Sequence, residues 1–207
     1  MEIWYRIVDA VLPFQWASHV FMKNALLAVL LLTPLFGLLG TMVVSNRMAF
    51  FSDSIGHGAF TGVALGALLA GIRPVWGAII FSVFFAMVIT LIKNKTGSST
   101  DTIIGVFSST AVALGLVLMS LGGNISRYSS YLVGDLLSIS PFEIRLLVIA
   151  FTAVIIMWVV MFNKMLIVSI NRSLAASRGI NTLLIEMIFT AAIAVVVTIS
   201  IQWVGLL

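Results

Sequence analysis

Long stretches without a charged residue constrain the fold of this sequence more than any other feature. Each is close to the roughly 17–25 residues that a helix needs to cross the hydrocarbon core of a bilayer. Only helices and closed barrels satisfy every backbone hydrogen bond in lipid, and these stretches lack the alternation of a barrel strand. The sequence therefore predicts an all-α bundle of about six transmembrane helices in one domain, residues 1–207. The six stretches without Asp, Glu, Lys or Arg are residues 24–46, 54–72, 74–92, 102–126, 146–163 and 187–207.

Composition supports a membrane location and excludes several other classes of protein. Charged residues make up 9% of the chain and hydrophobic residues 61%, whereas soluble domains have roughly 25% charged residues. The net charge is +4, but the basic residues are scattered singly, without interleaved aromatic residues, which excludes a nucleic-acid partner. The chain has no cysteine, which excludes disulfides and thiolate metal sites. We expect a multi-pass protein surrounded by membrane lipid.

Two segments lie outside the apolar stretches. Residues 1–23 lack the pattern of a cleavable signal peptide, and their aromatic residues, such as Trp4 and Trp16, predict an interfacial segment at the level of the lipid headgroups. Residues 163–186 carry several basic residues and predict a polar loop with a short surface helix. Counting basic residues on the two sides of the predicted bundle gives six against five, which does not orient the chain.

An ionisable pair stands at the start of the second stretch. Asp53, His57 and Thr61 are spaced by four residues, so they share one face of a helix. Carboxylate and imidazole one turn apart can bind one divalent cation, and this ligand type suits zinc, manganese or iron. Asp53 at a helix start, stabilised by the helix dipole, and His57 packed against a neighbouring helix are the alternatives. Two ligands do not close a site, so a homodimer would supply four, or a transport site would stay incomplete.

A row of small residues follows the ionisable pair. Gly58, Gly62 and Gly66 recur every four residues, and such a row lets another helix approach closely. We therefore expect this helix to be packed inside the bundle.

Three segments together resemble the integral membrane subunits of metal-type ABC importers, the zinc/manganese/iron permease family. The first is Arg47-Met48 followed by Ser52-Asp53-Ser-Ile-Gly-His57-Gly. The second is Asp101-Thr-Ile-Ile-Gly-Val-Phe-Ser108, and the third is Tyr131-Leu-Val-Gly-Asp-Leu-Leu-Ser-Ile-Ser140. They occur in the family's order and spread over most of the chain.

The resemblance implies a function and a set of partners. Such permeases form homodimers in the bacterial inner membrane, dock on cytoplasmic ABC ATPases and receive their ion from an extracytoplasmic metal-binding protein. By resemblance, Asp53 and His57 line the ion path, and we expect Thr61, on the same face, to lie along it. The transported zinc, manganese or iron is cargo, and no permanently bound cofactor is expected. The chain has no Gly-x-x-x-x-Gly-Lys-Ser/Thr motif, so ATP hydrolysis belongs to a separate chain, and the protein itself is not expected to be an enzyme.

The family's cytoplasmic coupling helix has a counterpart within residues 163–186. Leu174, Ala175, Gly179 and Ile180 match the family's Leu-Ala and Gly-Ile pairs, but its acidic residues are absent here. This match places the loop in the cytoplasm and the amino terminus outside. An ordinary polar loop is the alternative reading. In the family, the segment like 203–207 continues into further spans, so the resemblance implies a chain shortened at its C-terminus.

Other functions remain compatible with the sequence. An ABC permease for a metal chelate or cofactor would have a wider pathway, and its Asp–His pair would face helix packing instead. A non-transporting scaffold or paralogue would assemble with a full-length permease. An intramembrane metalloenzyme would need a third ligand or a general base from another span, where the sequence offers only Ser, Thr, Asn and Gln.

Overall fold

The computed structural model describes residues 2–11, 14, 18–68, 73–96, 98–122 and 134–205. Helices joined by turns make up these residues, and no β-strand occurs within them. The predicted all-helical fold is therefore confirmed. A 3-10 helix, Leu136–Ser138, lies before the sixth α-helix. The α-helices are α1 Glu2–Val11, α2 Val20–Ser45, α3 Phe51–Leu68, α4 Pro74–Lys95, α5 Thr100–Gly122, α6 Pro141–Ile170, α7 Arg172–Ser177 and α8 Thr182–Val204.

Five helices in the described part of the chain are long and apolar enough to cross a membrane: α2, α4, α5, α6 and α8. The sequence predicts about six spans, and the sixth corresponds to α3. This helix carries Asp53 and His57, and 12 of its 18 residues are buried. Because protein rather than lipid surrounds α3, it accommodates polar residues that a lipid-facing span would exclude.

Helix α3 lies inside the bundle and packs against α4, α5 and α8. Helix α8 also contacts α4 and α6, and α6 packs against α2. Through α8, the group formed by α3, α4 and α5 is therefore joined to the pair formed by α2 and α6.

The sixth helix is longer than the sequence predicts. Its charge-free stretch ends at Asn163, but α6 continues to Ile170. Asn163 and Lys164 are exposed on this last part, where a lysine can pack its alkyl chain along the helix and keep its charge in water. The predicted loop over residues 163–186 is therefore reduced to α7 and the turns on either side of it.

Asparagine side chains separate these last three helices. The side chain of Asn171 accepts a hydrogen bond from the backbone N–H of Leu174, and that of Asn181 accepts one from Leu184. Each asparagine satisfies a backbone donor that the first turn of the next helix leaves free. This capping explains why a short α7 interrupts the chain instead of one continuous helix.

The turn after α2 contains the non-glycine residue with positive φ in the described chain, Arg47, at φ 53°. The N–H of Arg47 donates to the carbonyl of Val44, and that of Met48 donates to the carbonyl of Val43, both at 3.0 Å. This pair of bonds is a Schellman motif, in which glycine usually occupies the left-handed position. An L-residue there costs about 1–2 kcal/mol, so the backbone alone does not favour arginine.

The amino-terminal helix packs against the start of α2. Trp4 Nε1 donates to the carbonyl oxygen of Lys23 at 2.9 Å, and the Tyr5 hydroxyl donates to Asn24 Oδ1 at 2.8 Å. Lys23 Nζ also pairs with Asp9 at 2.7 Å. α2 begins inside the predicted interfacial segment of residues 1–23. The interfacial position itself stays a prediction, and Trp16 lies outside the described residues.

Candidate functional site

Asp53 and His57 face one another across one turn near the start of α3. His57 Nε2 and Asp53 Oδ2 are 3.6 Å apart, and the two side chains are 22% and 60% exposed, respectively. Two ligand atoms that each stand about 2.0–2.2 Å from one tetrahedral ion lie roughly 3.4 Å apart. The pair therefore has nearly the spacing that a shared cation requires, and both groups are accessible.

The contact between α3 and α4 indicates how deep Asp53 lies. A Cβ at Gly62 would lie 2.7 Å from Ala78 Cα, and one at Gly66 would lie 3.3 Å from Pro74 Cα. Along this contact, residue numbers rise in α3 as they fall in α4, so the two helices are antiparallel. Asp53, nine residues before Gly62, therefore lies opposite about residue 87 of α4 at a rise of about 1.5 Å per residue.

Two hydrogen bonds align α4 with α8 in turn. Thr90 Oγ1 donates to Thr190 Oγ1 at 2.9 Å, and Asn94 Nδ2 donates to Glu186 Oε2 at 2.8 Å. At the same rise of about 1.5 Å per residue, residue 87 of α4 lies opposite about residue 193. Residue 193 is at the middle of α8. The first turn of α3 therefore lies about half-way along a helix that is long enough to span a membrane.

Asp53 lines a cavity of about 200 Å³ between α2, α3 and α8. Ser52 adds a hydroxyl from α3 and Ser200 one from α8, and the wall of the cavity reaches Gly205 beyond the C-terminal end of α8. Because α7 lies before the other end of α8, the cavity leads from Asp53 away from α7. His57 does not line it.

The ligand set around Asp53 and His57 is small. Within the described residues, no group of three or more His, Asp or Glu side chains is placed to hold a metal ion. The buried hydroxyl of Ser54, next to Asp53, also has no hydrogen-bond partner in the described protein. One chain therefore offers an incomplete site, with one carboxylate and one imidazole.

Thr61 lies one turn beyond His57 but is enclosed by protein, with 1% of its surface exposed. Its hydroxyl donates to the carbonyl oxygen of Ala111 in α5 at 2.6 Å. This bond joins α3 to α5 in the arrangement seen here. A place for Thr61 along the pathway stays a prediction.

The glycine row of α3 faces α4. A Cβ at Gly62 would meet the backbone of Ala78 and Gly77, and one at Gly58 would lie 2.9 Å from Cδ1 of Phe85. A Cβ at Gly66 would lie 3.3 Å from Gly77 Cα. The backbones of α3 and α4 are therefore close enough that a side chain at Gly62 would not fit between them.

The predicted coupling residues lie in and after α7. Leu174 is 46% exposed, whereas Ala175 is fully buried. Gly179 has φ 72° and closes the helix, and the N–H of Ile180 donates to the carbonyl of Ala175 at 3.1 Å. Ala175 and Gly179 thus shape the turn, and Leu174 presents a side chain at the surface. Docking of an ATPase here stays a prediction.

A second polar cluster, centred on Glu186, is not evident from local sequence spacing. The side chain of Glu186 is 8% exposed, and its Oε1 pairs with Arg172 of α7 and, at 3.8 Å, with Nζ of Lys93 of α4. Its Oε2 accepts the hydrogen bond from Asn94. Glu186 therefore links α4, α7 and α8. The available signal was an acidic residue at the edge of an apolar stretch, where a buried partner is expected.

Comparison with known proteins identifies the family of this chain. Residues 18–207 match the ABC 3 transport family. The chain belongs to that family. A solved structure of PsaBC from Streptococcus pneumoniae in complex with Fab superposes with a TM-score of 0.76 and 26% identity, covering 100% of this chain and 72% of that one.

Relatives from several bacteria agree with the assignment. An uncharacterised membrane protein of Synechocystis sp. is 32% identical over 93% of this chain and 69% of its own length. The high-affinity zinc uptake system membrane protein ZnuB of Buchnera aphidicola is 31% identical over 86% of this chain and 69% of its own. The manganese import system permease protein ScaB of Streptococcus parasanguinis is 26% identical over 89% and 66%.

The family and the five membrane-spanning helices confirm several predictions. The chain is a multi-pass membrane protein of the ABC permease type, hence a transporter subunit rather than an enzyme. In bacteria, this places it in the inner membrane.

Proposed function

We propose that this chain is the pore-forming subunit of an ABC importer that moves a divalent transition metal ion, zinc, manganese or iron, into the cytoplasm. The observation that carries the proposal is the Asp53–His57 pair, half-way along the bundle, with 3.6 Å between its ligand atoms. Family membership and the zinc and manganese systems to which two relatives belong support it. Iron rests on the ligand chemistry and on the resemblance to the zinc/manganese/iron permease family.

An incomplete site suits transport. Asp53 and His57 replace part of the hydration shell of the cation, and two ligands hold it weakly enough for release. A homodimer that brings two such pairs to a shared axis would provide four ligands. The energy comes from ATP hydrolysed by a separate cytoplasmic ATPase that docks on α7 through Leu174, and an extracytoplasmic binding protein delivers the ion.

The size of the cavity at Asp53 favours an ion over a chelate. Pockets for organic ligands measure about 300–1,000 Å³, and this cavity measures about 200 Å³. A desolvating metal ion fits this volume, whereas a chelate or an organic cofactor would need a wider path.

The test is uptake of radiolabelled zinc, manganese and iron by cells that express the chain with its ATPase. Asp53→Asn and His57→Gln keep side-chain size but weaken or remove metal ligation, so we expect each to reduce uptake of one metal at least tenfold. Asp101→Asn is the matched control, because Asp101 also lies in the first turn of a helix, and uptake should persist. Equal loss in all three variants would indicate a helix-start role for Asp53 instead.

The amount of protein in the membrane is measured in each variant. If Asp53→Asn and His57→Gln both transport normally at normal abundance, the ion does not pass this pair. A chain that inserts well but carries none of the three metals would favour the scaffold alternative.

A further inference from the structure

A basic cavity of about 570 Å³ opens at the end of the bundle that carries α7, away from the metal pathway described above. Side chains from the turn after α2, from α4, from α7 and from α8 converge on it. Arg47, Lys93 and Arg172 bring three basic groups, and Glu186 brings one carboxylate. The lining therefore carries a formal excess of two positive charges.

The single carboxylate is already engaged. One oxygen of Glu186 is shared by Arg172 and Lys93, and the other accepts the bond from Asn94. The guanidinium of Arg47 makes no ion pair with any residue that the structure describes. The exposed guanidinium of Arg47 is therefore free to bind a second anion at this cavity.

The backbone of Arg47 is an independent indication. Its position in the Schellman turn, at φ 53°, is one that glycine occupies without strain. Arginine here carries a conformational cost that glycine would avoid while making the same backbone hydrogen bonds. A function for the guanidinium at the cavity wall accounts for the residue.

The surroundings of the cavity indicate which anion it holds. It lies at the ends of α2, α4 and α6, which are long and apolar enough to cross a membrane. Ile170 lines the cavity and is 74% exposed. Val44, three residues before Arg47, is 73% exposed. Basic pockets between transmembrane helices bind the headgroups of anionic lipids, while exposed apolar side chains accept the acyl chains.

We propose that this cavity is a phosphate-binding site for the headgroup of an anionic phospholipid. Arg47 and Arg172 donate charge-assisted hydrogen bonds to the phosphate oxygens, and Lys93 contributes its charge. The bound lipid bridges the turn after α2 and the start of α7. The site does not depend on which metal the protein carries.

The test uses the full chain purified in a neutral detergent. Phosphatidylglycerol is titrated against it, with phosphatidylcholine and inorganic phosphate as separate arms, and bound lipid is counted by native mass spectrometry. We expect phosphatidylglycerol to bind selectively and Arg47→Gly to weaken it roughly tenfold, the value of one charge-assisted hydrogen bond. Arg178→Gln removes an exposed basic residue that does not line the cavity and should leave the affinity unchanged.

Thermal unfolding without lipid separates binding from folding. Arg47→Gly should unfold at the same or a higher temperature, because glycine relieves the positive φ. Unchanged phosphatidylglycerol affinity in Arg47→Gly, or equal loss in Arg178→Gln, would overturn the site. Inorganic phosphate binding as tightly as the lipid would overturn the lipid as its source.

Discussion

Replacing Gly62 by alanine tests the packing that holds α3 at its depth. The added Cβ would lie 2.7 Å from both Ala78 Cα and the carbonyl oxygen of Gly77, and 2.9 Å from Phe81 Cβ. Two of these three atoms are backbone, so rotation of a side chain cannot relieve the contact. α3 and α4 would have to separate by several tenths of an ångström or more.

The magnitude follows from two opposing effects. Overpacking costs about 1–3 kcal/mol, and contacts with backbone on the opposite side belong in the upper half of that range. Alanine in place of glycine favours a helix by about 1 kcal/mol. We therefore expect Gly62→Ala to lower the free energy of unfolding by about 1–2 kcal/mol, or the midpoint of thermal unfolding by about 2–8 °C.

The assay is thermal unfolding in detergent beside a matched variant. A Cβ at Gly37 of α2 would meet nothing within 4 Å, so Gly37→Ala should gain about 1 kcal/mol from helix propensity. The two alanines differ only in what they touch. If Gly62→Ala is as stable as Gly37→Ala, the close contact between α3 and α4 does not exist in the protein.

Three further substitutions test other contacts. Thr61→Val removes the bond to α5, so the free energy of unfolding should fall by about 0.5–1 kcal/mol; reduced metal uptake at normal abundance would support the predicted place of Thr61 along the pathway, and unchanged uptake would contradict it. Glu186→Gln removes the carboxylate charge that pairs with Arg172 and with part-buried Lys93 and should cost about 1–3 kcal/mol; unchanged thermal unfolding would contradict these pairs. Ser140→Ala breaks the capping box at the start of α6 and should cost about 1 kcal/mol; unchanged unfolding would mean that the cap contributes nothing.

The sequence predicts most of the helices because a lipid environment excludes charge over a fixed length. The rule fails where protein replaces lipid. Polar α3 is enclosed by other helices, and α6 runs past Asn163 because Lys164 can reach water from the helix surface. The glycine row predicts that α3 packs inside the bundle, but only the neighbouring helices show which of them enclose it and where α6 ends.

The sequence predicts the Asp53–His57 pair but not the cluster around Glu186. Asp53 and His57 share a helix face, so their spacing alone brings them together. Separate parts of the chain supply Arg47, Lys93, Arg172 and Glu186, and only the packing of the helices makes them neighbours. The hydroxyl of Thr61 contacts α5 through helix packing that local spacing does not encode, and its place along the pathway stays a prediction.

The enclosed position of α3 has a consequence for biosynthesis. The translocation machinery inserts helices according to their apolarity, and ionisable residues within a span are costly there. α3 is not apolar enough to count as a span by itself, and its glycine face is complementary to α4. We therefore expect α3 to enter the bilayer only together with α4, as a hairpin. A nascent chain that ends before Pro74 would leave α3 accessible to added protease.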